Sequence, residues 1–432
     1  MRASFLFLIC AAAAAGSASA TAATITAHDW ANPIVSVDII DLFWARITGD
    51  PPTRDEAGIA ATRKALHDAG SRGFTFARFG AASFWPPQFA LWWNATTRAR
   101  YWAVMDELYA DARAAGVVLM PSILFDTFVI PDSCGEPFGA MFRDPSSCSR
   151  RALKNYTRQF IARYYAPTAA ANGGKKSTVA AGHLVELTNE LNLQADLNMT
   201  GRRAGLPSVA RTQADNMSTA DMMALQTDWV SWIRAASDPA GRARAGLPPL
   251  AVTSGHAIPR GSAWHLRESY HAPRRDWSAD TQQQFEQTIG DQNAAVDVVS
   301  VHVYPNAQNV RPKWTPPIAQ PSGLVAAAAS AAFAHGKGFY LGEFGVQVAD
   351  RPYINKTADG KAYAYFSRAI DAVAAAAADK VRPKGAFVGS TTWVWEFTSN
   401  PPNNDTWSLW PGRDDPMIAT MQAANKRARV EN

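Results

Sequence analysis

Two glutamates stand where short apolar runs end: Leu187-Thr188-Asn189-Glu190 and Leu341-Gly342-Glu343-Phe344-Gly345. A buried strand that finishes in a carboxylate delivers that group to the rim of a sheet, where ligands bind. Two such acids on well-separated strands can flank one bond. Hydrolysis of a glycosidic bond uses such a pair. One carboxylic acid protonates the leaving oxygen, and the other carboxylate attacks the anomeric carbon or activates water there. Either glutamate alone reads more simply as a structural ion-pair partner; the pair together favours chemistry.

The elements that position them alternate in type. Apolar runs rich in Val, Ile and aromatics cover 34–42, 74–79, 117–124, 184–188, 250–254, 296–303, 339–342 and 390–395. Such runs suit buried parallel strands. Between them lie amphipathic or Ala-rich helical patterns at 57–69, 98–115, 149–165, 219–236, 323–334 and 362–378, with Gly116 and Gly336 as helix stops. Eight strands alternating with helices predict an α/β fold, a closed (β/α)₈ TIM barrel. A doubly wound sheet shares the same local grammar. No linker divides the chain, so a single domain is expected over 21–432. The long polar stretches 192–219 and 257–281 should be loops at the C-terminal face of strands four and five.

The chain has 432 residues, 47% hydrophobic and 18% charged, which excludes a disordered chain. Its net charge of +5 is scattered, without the aromatic-interleaved basic stripe that nucleic acid requires, so no nucleic-acid partner is expected. Residues 1–20 read as a signal peptide: Arg2, an apolar stretch from Phe5 to Ala15, then Ala18-Ser19-Ala20. That stretch is too short to span a bilayer, and no later segment has the length of a membrane helix. The mature chain is therefore expected to be secreted, without a membrane partner, as a monomer. Cleavage removes Cys10 and leaves Cys134 and Cys148, which in an oxidising compartment are expected to form a disulfide stapling one loop. Sequons at Asn94, Asn155, Asn198, Asn216, Asn355 and Asn404 fit a secreted glycoprotein.

Taken in order, Thr188-Asn189-Glu190, Ser300-Val301-His302-Val303-Tyr304-Pro305, Gly342-Glu343-Phe344-Gly345 and Trp393-Val394-Trp395 resemble clan A glycoside hydrolases. The resemblance is closest to glycoside hydrolase family 5, the cellulase and β-mannanase family, and runs from about Arg78 to Trp395. It implies Glu190 as acid/base and Glu343 as nucleophile of a retaining, double-displacement β-glycosidase. Asn189 matches the residue that hydrogen-bonds the sugar 2-hydroxyl. His302 matches the support for the acid/base, Tyr304 the hydroxyl that orients the nucleophile, and Arg78 the cation that keeps it ionised. Trp395 matches the tryptophan that floors the cleavage subsite. The implied substrate is a β-linked polysaccharide or oligosaccharide, β-mannan or β-glucan, with no cofactor or metal. A transglycosylase with the same residues, or a carbohydrate-binding pseudoenzyme, are the alternatives.

Plainer roles exist for several of these residues. Arg78 can pair with Glu186, which shares a face with Glu190; the two roles are compatible. Trp395 can be ordinary core, and Glu396 is expected to be structural. Two departures from the family stand out: Leu191 replaces the usual Pro after Asn-Glu, and no His ends strand three. Asp126 is a candidate in that place. Trp85, Trp92 and Trp93 after strand two, and Trp314 after strand six, are candidate sugar platforms.

Overall fold

The computed structural model describes residues 34–49, 51–82, 86–167, 183–205, 209–305, 321–397 and 404–431. The signal segment 1–20, Trp85 and Trp314 lie outside the described residues.

Eight parallel strands close into one barrel: β1 Ser36–Asp38, β2 Phe76–Gly80, β3 Val118–Leu124, β4 Leu184–Thr188, β5 Ala251–Thr253, β6 Val298–His302, β7 Gly338–Phe344 and β8 Val388–Thr392. β1 closes the ring, with Val37 aligned to Ala77 on one side and to Thr392 on the other. A helix follows each strand: α1 Glu56–Ser71, α2 Arg98–Ala114, α3 Cys148–Tyr164, α4 Thr219–Ala236, α5 Gln282–Gln292, α6 Pro321–Ala334, α7 Lys361–Ala378 and α8 Asp415–Glu431. The chain therefore forms the expected (β/α)₈ barrel. All eight anticipated strands are present, and α5 and α8 add two helices that the periodicity did not reveal.

Local chemistry explains the boundaries. Asp55 caps α1 by accepting from Gly58 N, while Ser218 with Asp221 and Thr281 with Gln284 form capping boxes on α4 and α5. Gly116 and Gly336 stop α2 and α6 at φ +70°, a conformation other residues resist.

Strand alternation sorts the two faces. Ala77 and Phe79, Val185 and Leu187, Val299 and Val301, and Phe339 and Leu341 face the helices and join one large core with Leu66, Tyr109, Trp229 and Ile370. Phe76, Val118, Met120, Leu184, Val298 and Tyr340 fill the barrel from the N-terminal end of the strands. Farther along the same inward rows stand Arg78, Glu186, Ser300 and His302, all buried. The interior thus changes from apolar to polar towards the C-terminal ends, where the site is built.

The insertions after β4 and β5 lie at those ends, as expected. The first contains a small antiparallel ladder, Arg203–Ala204 with Val209–Ala210, and its Arg211 pairs with Asp132 at 2.8 Å. The disulfide between Cys134 and Cys148 forms, with Cα atoms 5.9 Å apart. It ties the end of the short helix Val129–Cys134 to the first residue of α3, so both ends lie in helices rather than in one loop.

Candidate active site

Arg78 organises the rim. Its side chain is fully buried, and each of its five N–H groups has an acceptor. Nε donates to Glu186 Oε1 and Oε2 at 2.9 and 3.0 Å, and Nη2 to Glu186 Oε1 at 2.7 Å. Nη2 also reaches Asn189 Oδ1 at 2.8 Å. Nη1 donates to Glu343 Oε1 at 2.7 Å and to Asp38 Oδ1 at 3.4 Å. Burial works against the charge of Arg78, but the surrounding acids, Glu186 foremost, outweigh it and push the guanidinium pKa up. The two roles considered for Arg78, structural pair with Glu186 and cation beside Glu343, are both filled.

Glu343 is held on both oxygens, with Tyr304 donating its hydroxyl to Oε2 at 2.7 Å. Burial, reinforced by the neighbouring Glu343 carboxylate, raises the Tyr304 pKa, so the phenol remains a donor. The direction of Glu343 does not follow from strand alternation. Tyr340 points inward and Leu341 outward, which would turn Glu343 towards the helices. Register shifts between Val301 and His302 against β7, and between Leu341 and Phe344 against β8, re-aim it. Gly342 permits this packing: a Cβ there would lie 2.7 Å from His302 Nε2 and 2.8 Å from Ser300 Oγ.

Glu190 adopts φ +52°, a left-handed conformation uncommon outside glycine, and its N–H donates to Gly255 O at 2.7 Å. Gly255 has no room for a side chain, since a Cβ would lie 1.7 Å from Thr188 O. His302 Nδ1 lies 3.2 Å from Glu190 Oε1 and 3.5 Å from Glu343 Oε1. Burial lowers its pKa to about 4, with Glu343 opposing and Arg78 assisting. The ring is therefore neutral near pH 7, with Nδ1 facing both glutamates. One oxygen of each glutamate and one ring nitrogen of His302 lie within 4.8 Å of one another. That spacing could also accommodate a metal ion, but Arg78 and Tyr304 already engage both oxygens of Glu343.

Trp395 requires a correction. It is fully buried in the main core, donates Nε1 to Ala65 O on α1 at 3.2 Å, and meets the Phe74 ring edge-on at 5.5 Å. It supports the barrel wall and does not floor the cluster. Trp393 is the tryptophan at the rim: it is partly buried and lies parallel to Phe125 at 6.3 Å. Phe125 in turn sits over the Arg78 guanidinium at 5.6 Å. The Trp-x-Trp pattern gives both residues the same parity, so only the end of β8 at Thr392 separates their roles. Trp395→Ala is expected to destabilise the fold by about 3–5 kcal/mol, against roughly 1–2 kcal/mol for Trp393→Ala. Denaturant unfolding of both variants measures this; equal losses would contradict the separate placements.

Other candidates fall outside the cluster. Asp126 Oδ1 accepts from Phe128 N at 2.9 Å, a turn that leads into Val129–Cys134; burial raises its pKa to about 6. Trp92 is buried beside Tyr156, while Trp93 is 38% exposed on the same short helix. Glu396 takes the structural role expected of it, accepting from Lys64 at 3.1 Å. Sequence reasoning assigned no site role to Asp38, Phe125 or Trp393.

The fold and site together describe a (β/α)₈ barrel with a carboxylate pair at the strand ends. Solved structures of the same shape include the endo-beta-1,4-mannanase from Thermotoga petrophila, with a TM-score of 0.57 and 11% identity over 93% of this chain and 78% of that one. A Glycoside Hydrolase Family 5 Mannosidase from Rhizomucor miehei gives 0.57 and 10% over 92% and 94%. GH5_18 from Streptomyces cattleya in complex with GlcNAc gives 0.55 and 18% over 93% and 81%. At these identities the likeness shows the fold. No protein-family model and no curated protein matches the chain.

Proposed function

We propose that this chain is a retaining β-glycosidase of glycoside hydrolase family 5. The observation that carries the reading is the arrangement of Glu190 and Glu343 across the barrel mouth, with one oxygen of each within 4.8 Å of the other. Retaining enzymes hold their carboxyl groups about 5–5.5 Å apart, whereas inverting enzymes leave room for a water. The surroundings divide the labour. Glu343 faces the Arg78 cation and the Tyr304 donor, as an anionic nucleophile requires, while Glu190 is 33% exposed beside a neutral imidazole.

In the first step Glu343 attacks the anomeric carbon while Glu190 protonates the departing oxygen. The glycosyl–Glu343 ester is then broken by water, which Glu190, now a carboxylate, deprotonates. Asn189 lies beside Arg78 with its carbonyl engaged, leaving its amide N–H₂ for the sugar 2-hydroxyl. Trp393 takes over from Trp395 as the apolar surface for a sugar ring. The first product is expected to keep the β configuration, followed by NMR before mutarotation on β-mannan, cellulose, mixed-linkage glucan and aryl glycosides. An α anomer as first product would overturn the retaining reading.

The substrate class proposed is a β-mannan or β-glucan chain, supported by the resemblance of the motifs and by fold neighbours that include a mannanase and a mannosidase. Residues 21–432 constitute the catalytic domain in this reading, exported after removal of 1–20 and acting as a monomer. Among the described residues no helix is long and apolar enough to cross a membrane. The formed disulfide agrees with an oxidising compartment.

A further inference from the structure

Arg78 faces three carboxyl groups, and the reaction proposed above uses only one of them. Glu186 anchors the guanidinium and Glu343 reacts. The third, Asp38, ends β1 in direct register with Arg78 and is fully buried. Its Oδ1 receives the fifth N–H of Arg78, from the nitrogen that also serves Glu343, while its Oδ2 has no hydrogen-bond partner among the described residues.

We propose that Asp38 is a positioning residue for Glu343: as the neutral carboxylic acid it accepts from Arg78 Nη1 without competing for the cation's charge. The inference rests on the nucleophile role of Glu343.

The argument is one of charge. With Glu186 and Glu343 ionised and Arg78 protonated, the buried group carries one net negative charge. Ionising Asp38 would add a second, with a bare oxygen in a site closed to water. Burying an unpaired charge costs far more than burying a neutral polar atom. Among the described residues, the titratable groups facing Asp38 are Arg78 from β2, Glu186 from β4, Tyr304 after β6, and Tyr340 and Glu343 from β7. β8, the other neighbour of β1, contributes no titratable residue. Burial pushes the Asp38 carboxyl well above the usual range; Arg78 pulls against this, and Glu343 and Glu186 add to it. A neutral oxygen gives Nη1 a second acceptor and holds the guanidinium in plane, aimed at Glu343. An anion there would compete with Glu343 for Nη1.

Two measurements test this. Isotope-edited infrared spectra of the whole protein, with ¹³C-labelled aspartate at pH 7, should contain a protonated-carboxyl band that disappears in Asp38→Asn. No such band in the parent would overturn the proposal, whatever the protein hydrolyses. Kinetically, Asp38→Leu removes the acceptor and should lower kcat about tenfold or more with KM little changed, as an oriented hydrogen bond to the reacting group implies. Asp38→Asn, which can still accept from Nη1, should recover most of that loss and keep the acid limb of the kcat/KM profile in place. An acid limb about one pH unit lower in Asp38→Asn would mean that an anion had been removed, and the proposal would fail. Equal kcat losses in both variants would also reject it. If the parent hydrolyses no glycoside the functional reading fails, while the infrared band still decides the state of Asp38.

Discussion

Replacement of Glu343 by alanine is expected to lower kcat roughly 10⁴-fold or more, because the covalent route through the glycosyl ester is lost. The fold should survive, since Arg78 keeps its paired contacts with Glu186. The vacated space lies between two groups that favour an anion: Arg78 Nη1 and the Tyr304 hydroxyl, each 2.7 Å from the missing oxygens. Added azide should therefore bind there and attack an activated aryl glycoside from the nucleophile's side. The expected product is the glycosyl azide of inverted configuration, identified by NMR. Unchanged turnover, or a β-glycosyl azide, would remove Glu343 from the nucleophile role.

Replacement of Glu190 by alanine should separate substrates by leaving group. Where the leaving oxygen needs a proton, kcat/KM should fall about 10²- to 10⁴-fold, the usual range for general acid catalysis. For an aryl glycoside whose phenolate leaves unaided, the first step is spared and the second is slow. A burst of phenol followed by a slow steady state is then expected, together with loss of the alkaline limb of the pH profile. Azide should again rescue turnover, but by attacking the ester on Glu343, so this product retains the β configuration. The opposite azide stereochemistry of the two variants distinguishes the roles even if both lose activity equally. An inverted azide from Glu190→Ala would exchange the assignments.

Much of this site was legible because barrel strands deliver their last residues to a common rim. Asn189, Glu190, His302, Tyr304, Glu343 and Arg78 each follow an apolar run, and the rim collects them through Arg78, Glu343 and His302. Asp38 escaped notice because the apolar run around it continues to Leu42, whereas the strand ends at Asp38 itself. Phe125 simply continues the apolar run of β3; its position over Arg78 depends on how β3 sits beside β2. The tryptophan was misplaced because Trp393 and Trp395 share the parity of one strand, and parity cannot say where the strand stops.

The sequence by itself determined the eight strands, six of the helices between them, and the list of polar groups at the strand ends. Those are properties of period and composition, which act over neighbouring residues. Tertiary structure decided the direction of Glu343, which alternation points at the helices and the β7 register shifts turn towards Arg78. It also decided which tryptophan faces the rim and which carboxyl shares the arginine. Each of those depends on contacts between strands far apart in the chain, where packing rather than local preference sets the side chain's neighbours.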